Sequence, residues 1–150
     1  MKFRLIALSI LLSIGLARPA KAEPWNEFLN RYGMLPLEAV DREYRGEYLA
    51  FWYFSEVYNG GHLQYFLNKH DYPWQETADA MQAMGASEHA AIMRKAIRRW
   101  RGKMRIAPTT VEEYLEIERQ REFDDLDNAM YDLKPELEYY VYRSLVRKAH

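Results

Sequence analysis

The chain has 150 residues, of which 29% are charged, 49% hydrophobic and 15% aromatic, with seven glycines, six prolines and no cysteine. That length fits one domain, and the composition excludes disordered, collagen-like and disulfide-scaffold classes. The lack of cysteine removes thiolate metal sites, cysteine nucleophiles and redox dithiols, and a formal net charge of −1 offers no generic nucleic-acid footprint.

Residues 1–22 read as an export signal. Lys2 and Arg4 form a basic start, 5–16 is an almost wholly apolar run, and Ala20-Lys21-Ala22 is a small-x-small cleavage pattern. The apolar run is shorter than the roughly 20 residues needed to span a bilayer, so cleavage after Ala22 is expected, with no stable membrane anchor left behind. The alternative is an uncleaved membrane helix. A lipid anchor at the cut would need a cysteine. The expected organisation is a signal over 1–22 and one helical domain over 23–150, exported to the periplasm. Four of the 21 basic residues leave with the signal, so 17 basic and 22 acidic residues remain, a net charge of −5.

The fold class expected is all-α, a multi-helix domain. A short helix over 24–32 ends at Gly33. The next begins between Pro36 and Val40 and runs to about Tyr58. Its apolar residues occupy more than one stripe, which suits a central, buried helix. Asn59-Gly60-Gly61 stops it, because these residues tolerate the left-handed cap conformation. Another short helix covers 62–68. Pro73 suits a first helical position, Gly85 a cap, and Ser87 the N-cap of the following helix. There His89, Ile92, Met93, Ala96, Ile97 and Trp100 repeat at three and four, and Gly102 closes it. Thr110-Val111-Glu112-Glu113 matches a capping box. The helix after it extends to about Tyr131 with a break near Phe123, and carries Phe123, Leu126, Met130 and Leu133 inward. Pro135 starts a last helix with Leu137, Tyr140, Val141 and Leu145 inward.

The run Glu56-Val57-Tyr58-Asn59-Gly60-Gly61-His62-Leu63-Gln64-Tyr65-Phe66-Leu67-Asn68 resembles the signature of the DNA-mimic-protein-like family, whose pattern is Glu-Val-Asn-Asn-Gly-Gly-Phe-x-Gln-Tyr-Phe-x-Asn. Ala80-Met81-Gln82-Ala83-Met84-Gly85-Ala86 is similar to that family's Gly-Ala step. Phe123-Asp124-Asp125-Leu126-Asp127 with Tyr131 is similar to its C-terminal acidic element, and 139–145 to its closing helix. The resemblance covers about 40–148. It implies an all-helical bacterial domain. It also implies an acidic surface that, in the relative naming the family, imitates DNA phosphates before a DNA-binding protein. Tyr58 and His62 depart from the pattern, which has asparagine and phenylalanine there, and the cytoplasmic relative lacks an export signal. An exported chain does not meet a cytoplasmic repressor, so an unidentified protein outside the cytoplasm is the expected partner.

Two readings of the motif stand. In the structural one, Asn59, Gly60 and Gly61 turn the chain while Glu56, Gln64 and Asn68 satisfy backbone groups freed by the turn. In the functional one, Glu56, Asn59, His62 and Gln64 surround a polar pocket, with Tyr53 and Tyr142 as further lining candidates.

Charge is segregated. Seven basic residues and no acid lie over 94–105, while 112–138 holds eleven acids against Arg119, Arg121 and Lys134. These are solvated helix faces, or stretches that pair with each other, or a docking surface formed by Glu112, Glu116, Glu122, Asp124 and Asp127. No catalytic motif is present, and the spacing of His62, His70 and Asp71 matches no metal-ligand pattern, so no cofactor or metal is expected. The leading expectation is a non-enzymatic interaction module docking through the acidic region. A small-molecule binder or enzyme using the polar turn, and a purely structural envelope domain, remain as alternatives.

Overall fold

The computed structural model describes residues 23–150, so the expected signal lies outside the described residues. Seven α-helices and two 3-10 turns make up the regular structure there: α1 (Glu23–Tyr32), turns at Leu37–Ala39 and Arg42–Tyr44, α2 (Arg45–Asn68), α3 (Trp74–Ala83), α4 (Ser87–Arg101), α5 (Val111–Glu118), α6 (Asp124–Asp132) and α7 (Leu137–Lys148). The class is all-α, as expected.

Helix α2 is the axis. Tyr48, Leu49, Tyr53, Val57, Tyr65 and Phe66 all lie along it and are almost completely buried. They face different directions around the helix, which is why its apolar residues follow no single stripe. Helices α3, α6 and α7 pack directly on α2, α4 packs on α3 and α6, and α1 rests on α7. The expected stripe of α4 holds: His89, Ile92, Met93, Ala96 and Ile97 are buried. His89 stands edge-on to Tyr140, and burial lowers its pKa. No helix among the described residues is long and apolar enough to cross a membrane.

Three local expectations are corrected. The long helix starts at Arg45, not between Pro36 and Val40. Pro36, Val40 and Asp41 adopt extended backbone, and Asp41 accepts hydrogen bonds from Arg31 (2.7 Å) and Tyr32 (2.6 Å), which ties this stretch to α1. Ser87 is the first residue of α4 and not its cap, since its hydroxyl accepts a hydrogen bond from Gln82. Tyr140, expected to face inward, is only half-buried against the core, whereas Tyr53 is wholly enclosed. The capping box at Thr110 and Glu113 is present as expected, and the break near Phe123 separates α5 from α6.

Candidate functional site

The family-like motif is a kink inside α2. Gly60 has φ −160° and ψ 25°, and Gly61 has φ 75° and ψ −179°. The second is a left-handed value that only glycine adopts without strain. A Cβ on Gly61 would also stand 2.5 Å from Asp127 Oδ2, so the residue serves both the turn and the close approach of α6.

A kink frees helix hydrogen-bonding groups, and they must be satisfied elsewhere. Here α6 supplies the partners. Asp127 Oδ1 accepts the His62 backbone N–H at 2.9 Å, and the Tyr131 hydroxyl donates to the Val57 carbonyl at 3.0 Å. The sequence reading gave this task to Glu56, Gln64 and Asn68, and that is corrected. Those three bind one another across the kink: Gln64 Nε2 and Asn68 Nδ2 each donate to Glu56 Oε2 at 2.9 Å. A nearly buried carboxylate thus gains two amide donors, and the two halves of α2 are laced together.

His62 is completely buried. Its Nδ1 lies 2.5 Å from Asp127 Oδ1 and its Nε2 lies 2.8 Å from the Tyr53 hydroxyl. A carboxylate oxygen accepts, so Nδ1 is the ring donor to Asp127, and the Tyr53 hydroxyl is the hydrogen-bond partner of Nε2. Burial pushes the Tyr53 hydroxyl well above its ordinary range, so it stays a neutral donor. This Asp–His–Tyr order matches an acid–base relay in its donors and acceptors. Both ring nitrogens are occupied, however, and Tyr53 and His62 are both fully covered, so the arrangement orients and seals the kink.

Asn59 is exposed at the bend. Tyr142 sits midway along α7, half-buried against the core. Tyr131, which no site reading singled out, turns out to close the freed carbonyl. Its signal lay in the C-terminal acidic element, read separately from the glycine turn.

The acidic row divides in two. Glu112 and Glu116 on α5 are exposed, and Asp124 at the start of α6 is partly so. Asp124 pairs with Arg121, and Glu116 with Arg119 at 3.1 Å. Asp127 faces inward to His62, as above. Glu122 also turns inward: its side chain is 11% exposed, and it receives Arg105 Nη1 at 2.8 Å and Nη2 at 2.7 Å. The Arg105 hydrogen bonds, foremost, hold the Glu122 carboxyl below its usual range. Lys103 adds a contact at 3.4 Å, and Arg99 pairs with Asp125. The basic and acidic stretches therefore pair with each other in part, through Arg99, Lys103 and Arg105 on Glu122 and Asp125, and the five-residue docking row reduces to Glu112, Glu116 and Asp124. Among the described residues no group of three or more His, Asp or Glu is placed to hold a metal ion.

Helix α5 differs from the others in burying none of its residues. Tyr114 and Ile117 lean on the core, while Val111 and Leu115 stay exposed.

A family model described as DMP19-like protein matches residues 38–149. That span holds the kinked α2, the partners on α6 and the closing helix. No curated protein and no solved structure matches this chain.

Proposed function

Since the chain belongs to the DMP19-like protein family, we propose that it is an exported, non-enzymatic interaction module that docks a basic protein surface through α5 and the start of α6. The observation that carries this reading is α5 itself. It is a capped helix with no buried residue, and it keeps Glu112 and Glu116 beside Val111 and Leu115 on the outside. Acids spaced i and i+4 stand about 6 Å apart along the helix axis, and the neighbouring apolar pair adds desolvation energy to a charge-guided contact. The closed network around His62 supports a non-enzymatic role, because its polar groups already satisfy one another. The basic start, apolar run and Ala20-Lys21-Ala22 pattern support export.

The test is capture of envelope proteins on the wild-type chain and on a Glu112→Lys, Glu116→Lys, Asp124→Lys variant, at low and high salt. Glu112 and Glu116 are exposed and Asp124 is partly so, and an unchanged melting temperature checks that the variant is folded. A basic partner held at low salt, released at high salt and lost by the variant is the expected result. Equal capture by both chains overturns the proposal.

A further inference from the structure

A groove of about 550 Å³ lies between the end of α2, the start of α3, the last turn of α4 and the segment that follows it. That volume suits a small ligand. Phe66, Trp74 and Trp100 form its aromatic lining, with ring centroids 4.9 Å apart for Phe66–Trp74 and 4.8 Å for Phe66–Trp100. His70, Arg101, Lys103 and Arg105 also line it, and no acid does.

The three strong cations are not equivalent. Arg105 is committed to the wall: it chelates Glu122, donates to the Trp100 carbonyl at 3.0 Å, and lies 4.4 Å from the Trp100 ring centroid. Lys103 has only the 3.4 Å contact with Glu122, and 61% of its side chain is exposed. Arg101 has no ion pair among the described residues, and its guanidinium carbon lies 5.9 Å from the Trp74 ring centroid. A half-exposed indole thus sits beside an uncompensated guanidinium and a weakly held ammonium.

We propose that this groove binds a small aromatic anion, its ring against Trp74 and its phosphate, sulfonate or carboxylate on Arg101 and Lys103. Aromatic surface gives stacking area, and Arg presents a planar fork that matches such oxyanions. The negative charge of the rest of the chain opposes a long nucleic-acid strand, whose affinity rests on many phosphate contacts. This site is separate from the α5 surface and does not depend on it.

The four tryptophans allow a site-resolved test on the 15N-labelled protein, using indole N–H signals. The probes are adenosine monophosphate, indole-3-acetate and naphthalene-1-sulfonate, with adenosine as the uncharged control and a short oligothymidine as the polymer control. At least one probe is expected to shift Trp74 and Trp100 saturably while leaving Trp25 and Trp52 in place. Arg101→Glu, at an exposed residue with no ion pair, should keep the melting temperature and weaken that probe at least about fivefold, and adenosine should bind at least about fivefold more weakly than its monophosphate. Lys103→Glu provides a second variant if the first fails to fold. Saturable shifts from none of the probes, a smaller loss in the variants, or tighter binding of the oligothymidine than of every probe would each overturn the proposal.

Discussion

Gly61 is held at φ 75°, where a side chain costs about 1–3 kcal/mol, and its missing Cβ leaves room for Asp127 Oδ2 at 2.5 Å from where that atom would stand. The neighbouring Gly60 has extended φ, and its added Cβ would meet the far end of Gln64, which can move. Gly61→Ala should therefore destabilise the protein by at least about 2 kcal/mol more than Gly60→Ala, read from denaturant unfolding. Gly60→Ala keeps a smaller cost of about 1 kcal/mol, from disturbing the Gln64–Glu56 bond. Equal losses would mean that α6 does not close on the kink as its contacts indicate. The same geometry explains His62, which stands where the family pattern has phenylalanine. Its ring still stacks on Phe123, with centroids 6.0 Å apart and planes inclined by 27°, and it adds two polar contacts that a phenyl ring lacks.

Helix α5 stands apart at the scale of elements. It has eight residues and buries none, so its persistence depends on local bonds more than on packing. The Thr110 hydroxyl accepts from the Glu113 N–H at 3.2 Å, and the Glu113 carboxylate accepts from the Thr109 N–H at 2.6 Å and the Thr110 N–H at 3.3 Å. Removing such a cap costs about 1 kcal/mol locally. Thr110→Ala is expected to speed amide hydrogen exchange several-fold across Val111–Glu118 while leaving exchange in α2 unchanged. Slowed or unchanged exchange in α5 would show that packing holds the helix instead. This cap was legible in the sequence because a capping box is a signal within four residues, as is the Asn-Gly-Gly break. The pair of 3-10 turns before Arg45 was not legible, because Asp41 between them is fixed by Arg31 and Tyr32 of another element. The candidate site divides the same way. Glu56, Gly61, His62, Gln64 and Asn68 announced themselves as a motif, but the partners of His62 and of the freed Val57 carbonyl come from α6, more than sixty residues away.

For the molecule as a whole, the opposed charge of 94–105 and 112–138 is in part an internal bond, in which Arg99, Lys103 and Arg105 meet Glu122 and Asp125. Its contributions are unequal because burial differs. Arg99–Asp125 is exposed, with side chains 34% and 64% accessible, and an exposed pair contributes at most about 1 kcal/mol. Arg105–Glu122 is shielded, at 16% and 11%, and Arg105 also serves the carbonyls of Trp100 (3.0 Å) and Arg99 (3.3 Å). Removing Arg105 leaves Glu122 with only the 3.4 Å Lys103 contact, takes the side-chain donor from the Trp100 carbonyl, and leaves the Arg99 carbonyl with only the Gly102 N–H at 3.3 Å. Arg105→Ala is thus expected to cost about 2–3 kcal/mol at neutral pH, more than Arg99→Ala, which loses an exposed ion pair and one bond to the Glu122 carbonyl at 2.7 Å. Glu122 titrates below its ordinary value of 4.5 in the folded protein, chiefly through the Arg105 hydrogen bonds. Its folded pKa is depressed, so the stability it contributes is fully present above that ordinary value and is lost as pH falls through the lowered one. The gap between wild type and Arg105→Ala should accordingly be widest near neutral pH and shrink as pH falls below the ordinary value of 4.5, measured by denaturant unfolding at both ends. A gap of constant size would mean that Arg105 acts through the two carbonyls and its contact with Trp100, with the charge of Glu122 contributing nothing.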